Sequence, residues 1–248
     1  MDKKAIKDYI LGKFSKEILL KRHLPMMQIV FWTLLLIAYL LFPPELNYSM
    51  FERSISNLGS YTETQGATFF SIAIIFFGIS LFPIFLYFFY RFKKICKCAA
   101  YLGVFFGILG CIFIVLIGIV SDDPVDFFGM DQARVHVYIA AIGILGIGLG
   151  MLTYVLPILK DTFFKRGHRQ FPLLKLILTY SILIFAILGM GIAELIKAQY
   201  NYDFPGPGFL SFTFWEWMLL ITFNIFLIFF SVFIPDKIKG INKKEKNK

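Results

Sequence analysis

The chain has 248 residues, 58% of them hydrophobic, with 31 Phe and a mean hydropathy of +0.73, more apolar surface than a soluble core of this size can hide. Its net charge of +9 is confined to short segments between apolar runs, so it argues for membrane topology and not for nucleic-acid binding. Three cysteines, Cys96 and Cys98 in a basic segment and Cys111 in an apolar run, exclude a disulfide framework.

Residues 1–24 are basic, and Ile6, Tyr9, Ile10, Phe14 and Ile18 recur among lysines at helical spacing. This predicts an amphipathic helix lying on the cytoplasmic leaflet. No small-x-small cleavage pattern follows, so a signal peptide is not expected. Six apolar runs then predict transmembrane helices near 25–42, 67–90, 99–121, 135–158, 173–196 and 214–234, each close to the length of about 20 residues that crosses a hydrocarbon core. Unbroken runs such as Val104–Val120 read as helices, which satisfy every backbone group internally, and not as barrel strands. The expected fold is an all-α integral membrane protein: a six-helix bundle over 25–234, followed by a basic tail at 235–248.

Orientation follows from the cations. Of the 25 Lys and Arg, 22 lie in the N-terminal segment, the loops after spans two and four (with Lys175 just inside span five), or the tail; only Arg53, Arg134 and Lys197 lie opposite. Both termini are therefore expected in the cytoplasm of a cell-membrane, multi-pass protein. Ten of the 16 acidic residues fall on the outer side, among them Glu63, Asp122, Asp123, Asp131, Glu194 and Glu216.

Within the spans, Pro25 marks a bend into the first and Pro83 should kink the second. Gly103, Gly107 and Gly110 in span three match Ala140, Gly143, Gly146 and Gly150 in span four, which predicts close packing of the two. Trp215 and Trp217 suit an outer aromatic belt.

Candidate chemistry gathers on the acidic side. In the first outer loop, residues 50–59 suggest a short interfacial helix with Met50 or Phe51, Ile55 and Leu58 on one face, ended by a left-handed Gly59. Its Ser54, Ser56 and Asn57 could meet a headgroup and also suit caps and turns. In the second outer loop, Asp131 is a candidate N-cap for span four. The aspartates from Asp122 to Asp131 do not follow the calcium-loop spacing. His136 shares the small-residue face with Ala140 and Gly143 and should point into the bundle, where an ionisable group is a candidate functional site. His23 and His168 lie on the other side, which excludes a three-histidine zinc site within one chain. Glu216, Leu220 and Asn224 share a broad face of span six and could line an outward-facing pocket with His136 and the first loop.

Two motifs carry a resemblance. Ile55-Ser56-Asn57-Leu58-Gly59, and Asp122-Asp123-Pro124 leading to His136, resemble the family called domain of unknown function 998 and the Frag/DRAM/Sfk-like group, over the whole membrane domain. The second group's pattern has an acid where this chain has Asn57, so no carboxylate role is carried to that position. The resemblance implies a multi-helix membrane fold; some members of the second group act in lipid-anchor remodelling and others in autophagy-related signalling.

The leading expectation is an outward-facing polar pocket that binds a lipid headgroup or small polar ligand through Ser56, Asn57, Asp122, Asp123, Arg134, His136 and Glu194. One alternative is a membrane-embedded lipid hydrolase or transferase, with His136 as general base, Asp123 orienting it or holding a cation, and Ser56 nearby. A transporter is the other. The expected partners are membrane lipids, and neither a cofactor nor a metal is expected.

Overall fold

A computed structural model describes residues 3–123, 125–127, 130–164, 170–200 and 208–238. Among them, six helical stretches are long and apolar enough to cross a membrane: Lys16–Leu40, Ala67–Phe92, Lys97–Ile119, Gln132–Phe163, Leu173–Ala193 and Phe212–Phe233. Each contains or overlaps one of the six apolar runs.

The N-terminal segment is broken into pieces. Helix α1 (Lys3–Ile10) carries no buried residue and is followed by a turn at Gly12, whose φ of +68° favours glycine. A Cβ there would lie 2.4 Å from the backbone nitrogen of Tyr87, so the break is fixed by close packing on the fourth helix as well as by dihedral preference. Ser15 caps the short α2 (Lys16–Ile18), and a π turn at Leu19–His23 leads without a break into α3 (Leu24–Leu40), with Pro25 directly after the π turn. Lys16 Nζ donates to the carbonyls of Val232 and Ile234 at 2.6 and 2.7 Å, placing a cation at the C-terminal end of the last helix, where the dipole favours it.

Helix α4 (Ala67–Phe92) runs through Pro83. In the turn that Pro83 disturbs, the Ser80 carbonyl accepts a hydrogen bond from His23 Nε2 at 2.8 Å. Because a carbonyl only accepts, Nε2 carries the proton, and Nδ1 accepts from the Tyr9 hydroxyl. Tyr9, His23 and Ser80 thus pin α1 to the proline turn.

Helices α5 (Lys97–Ile119) and α6 (Gln132–Thr153) form one of the closest pairs in the bundle, with α4 against the other side of α5. The glycine patterns are the cause. A Cβ on Gly110 would sit 2.5 Å from the Ile147 nitrogen, and one on Gly146 or Gly150 would sit 2.8 Å from Gly110 or Gly107 backbone. Helix α6 pauses at Tyr154 and resumes as α7 (Val155–Phe164). Pro157 accounts for the pause, since it has no N–H for the Thr153 carbonyl four residues earlier. Helices α8 (Leu173–Tyr200) and α9 (Phe212–Phe233) pair with each other. At the basic end the two groups are sealed by stacked aromatics, Phe88, Phe92 and Tyr154 against Tyr180, Phe226 and Phe230.

Mid-span polarity is internally satisfied. Gln28 on α3 donates to Asn224 on α9 at 2.7 Å and accepts from Trp32 at 2.9 Å, while Asn224 donates to the Leu220 carbonyl. The one extended pairing among the described residues is a two-residue antiparallel ladder, β1 (Asp126–Phe127) with β2 (Met130–Asp131).

Candidate functional site

The first loop of the acidic end is organised by its own side chains. Residues Ile55–Gly59 form a 3₁₀ turn, and the preceding residues Met50–Arg53 are not helical, so the interfacial helix is shorter than residues 50–59 suggest. Ser54 N–H donates to Asn57 Oδ1 at 2.9 Å and the Ser54 hydroxyl to the same oxygen at 3.0 Å. Asn57 therefore spends its acceptor on the turn. Gly59 is not left-handed. It is needed because a Cβ there would lie 2.4 Å from the Phe70 ring, so it lets the turn sit directly on α4.

The second loop is tied to the first through adjacent aspartates with different environments. Asp123 is only 4% exposed, and its Oδ1 accepts from Ser60 Oγ (2.7 Å), Thr62 Oγ1 (2.9 Å) and Thr62 N–H (3.2 Å), while Oδ2 accepts from Tyr61 N–H (3.1 Å). Burial works against its charge, yet the hydrogen bonds from Ser121, Ser60 and Thr62 outweigh it and hold the carboxyl at about 2. A carboxylate so saturated is a structural anchor, with little capacity left for a ligand. Asp122 accepts one bond, from Ser56 Oγ at 3.0 Å. Burial pushes its carboxyl above the usual range, and the neighbouring His136 ring and the Ser56 hydroxyl pull it back.

His136 sits in the second turn of α6 and is 4% exposed. Its Nδ1 lies 2.6 Å from the Val120 carbonyl and must be the donor, which leaves Nε2 with no protein partner and, in the neutral form of the ring, an acceptor. Asp131, at the N-cap of the same helix, accepts from Ala133 N–H at 3.2 Å, as a carboxylate there should. Arg134 is not brought to this group. Its side chain is 81% exposed and lies 3.9 Å from Asp131. The Glu194 side chain lies outside the described residues.

Glu216 joins the cluster from α9. Its Oε2 accepts from Ile55 N–H at 3.0 Å, so consecutive loop residues, Ile55 and Ser56, hold the carboxylates of Glu216 and Asp122. The sequence contained the signal, since Glu216 shares a helical face with Leu220 and Asn224, but the hydrogen bond to a loop 161 residues away is visible only in the fold.

Beneath these groups lies a cavity of about 140 Å³ between the α4–α5–α6 row and the α8–α9 pair. Ser56, His136 and Glu216 line its polar end; Phe77, Ile147, Leu219 and Phe223 are among the apolar side chains that line the rest. Gly148 also lines it, and a Cβ on Gly148 would meet nothing within 4 Å. Such a site can hold a molecule with one polar end and one apolar end. Ser56 donates to the Asp122 carboxylate and not to His136, so the hydroxyl and the imidazole do not form a Ser–His pair. Among the described residues, no three of His, Cys, Asp or Glu gather as metal ligands.

The family described as Protein of unknown function (DUF998) matches residues 28–233, from the first turns of α3 to the end of α9. The chain belongs to this family. No curated protein and no solved structure matches the chain.

Proposed function

We propose that this member of the DUF998 family is a lipid-binding multi-pass membrane protein that holds an amphiphile between α4, α5, α6, α8 and α9. The headgroup meets Ser56, His136 and Glu216, with Asp122 behind Ser56, and the first few carbons of the chain fill the apolar part of the cavity, whose volume of about 140 Å³ takes a guest of roughly benzene size. The acidic end is the outer one and both termini are cytoplasmic, which the distribution of Lys and Arg supports.

The observation that carries this reading is the join between a cavity walled by Phe77, Ile147 and Phe223 and a polar mouth lined by His136, whose Nε2 has no hydrogen-bond partner in the protein. Polar atoms that face an apolar enclosure are normally satisfied. A headgroup would satisfy this one. Binding is preferred to hydrolysis because Ser56 has no hydrogen bond to His136. It is preferred to transport because the mid-span amides of Gln28 and Asn224 are bonded to each other and not to a path.

Native mass spectrometry of protein extracted in a mild non-ionic detergent tests the reading. One amphiphile per chain should survive in the wild type and be lost in Gly148→Phe, which fills the cavity from a position with room for a side chain. Equal retention by a correctly folded Gly148→Phe would overturn it.

A further inference from the structure

The unused hydrogen-bonding capacity at the cavity mouth is of one kind. Ser56 Oγ–H is committed to Asp122, and Ile55 N–H is committed to Glu216. His136 Nδ1–H is committed to the Val120 carbonyl. What remains at the opening is Oε1 of Glu216 and Nε2 of His136, two acceptors on different helices, with the Asp122 carboxylate behind Ser56.

No described Lys or Arg answers them. Arg53 is bonded to Glu63 at 2.7 Å and lies over the Phe42 ring, and the exposed Arg134 lies beside Asp131. Among the described residues, neither Asp122 nor Glu216 has a Lys or Arg nitrogen within 4.0 Å. With Glu216 at the mouth, Asp122 behind Ser56 and no described Lys or Arg beside either, an anion is disfavoured and a cation favoured.

We infer that the cavity selects an amphiphile whose headgroup is a protonated amine, resting on the amphiphile-binding reading above. An ammonium offers N–H donors and a positive charge to the Glu216 and His136 acceptors. A hydroxyl headgroup offers one donor and no charge, and a phosphate headgroup offers mainly acceptors and a like charge. Charge-assisted bonds are roughly twice as strong as neutral ones, so the amine should bind at least about tenfold more tightly than the alcohol of equal chain length.

The test offers dodecylamine, dodecanol and dodecyl phosphate separately to purified full-length protein in a non-ionic detergent near neutral pH. Retention is read by native mass spectrometry and by displacement of a fluorescent alkyl probe. The expected order is amine, then alcohol, then phosphate. Glu216→Gln and Asp122→Asn should each lower amine retention about tenfold towards that of dodecanol, with dodecanol itself unchanged. The comparison of three headgroups on the wild type stands even where a variant does not fold. If dodecanol or dodecyl phosphate equals or exceeds the amine, and Gly148→Phe removes all three, the headgroup assignment is overturned and the cavity reading survives. If no probe is retained above the level of Gly148→Phe, both fall.

Discussion

Replacing Asp123 by Ala removes the acceptor for Ser60 Oγ–H, Thr62 Oγ1–H and the N–H groups of Tyr61 and Thr62. The two hydroxyls already lie 3.0 Å apart, so one can donate to the other, which leaves the second hydroxyl and the two backbone N–H groups without an acceptor. At roughly 1–3 kcal/mol for each unsatisfied buried donor, the loss should be about 2–4 kcal/mol. For a chain of 248 residues this lowers Tm by about 5–15 °C. The buried Cys111 reports unfolding through a thiol-reactive dye in a background where Cys96 and Cys98 are Ser. The pH dependence follows from the same bonds. Asp123 has its carboxyl lowered to about 2 in the folded chain against an ordinary 3.8, so its contribution is complete above pH 3.8 and disappears as pH falls through about 2. The Tm gap between wild type and Asp123→Asn should be constant above pH 4 and close below it. A shift under 1 °C for Asp123→Ala, or a gap that widens on acidification, would refute the anchoring role.

Three further outcomes test the packing. Gly110→Ala and Gly146→Ala should each destabilise by about 1–3 kcal/mol, because their Cβ atoms meet backbone at 2.5 and 2.8 Å, whereas Gly148→Ala should be neutral or stabilising by up to about 1 kcal/mol; Tm values of the three variants make the comparison. A double-mutant cycle of Gln28→Leu and Asn224→Leu should give a coupling of about 0.6–1.7 kcal/mol, and additivity would mean that the amide pair does not join α3 to α9. His23→Leu removes both bonds that tie Tyr9 to the Ser80 turn, so limited trypsin digestion should cut at Lys7 and Lys13 several-fold faster than in the wild type.

Length and apolarity made the six helices legible, because a bilayer admits few other solutions for such runs. Small-residue spacing also predicted the α5–α6 pairing, since Gly110 and Gly146 offer the close approach that lipid-embedded helices use. The acidic-end loops were less legible. Asp122 and Asp123 are neighbours of one residue type, yet one is saturated by a loop about 60 residues away and the other accepts a single bond, from Ser56. Nothing local distinguishes them. Gly59 invited a turn-ending role from its position, but its requirement comes from the Phe70 ring of another element. Glu216 showed its helical face in the sequence; its place in the site depended on the Ile55 N–H that holds it.

The central claim, an amphiphile held inside the bundle, is tested most directly by photo-crosslinking an alkylamine that carries a diazirine at the end of its chain. The label should fall on cavity residues such as Phe77, Ile147 and Phe223, and excess dodecylamine or Gly148→Phe should abolish it. Labelling confined to lipid-facing side chains such as Ile72 and Phe105, indifferent to competitor, would contradict the account.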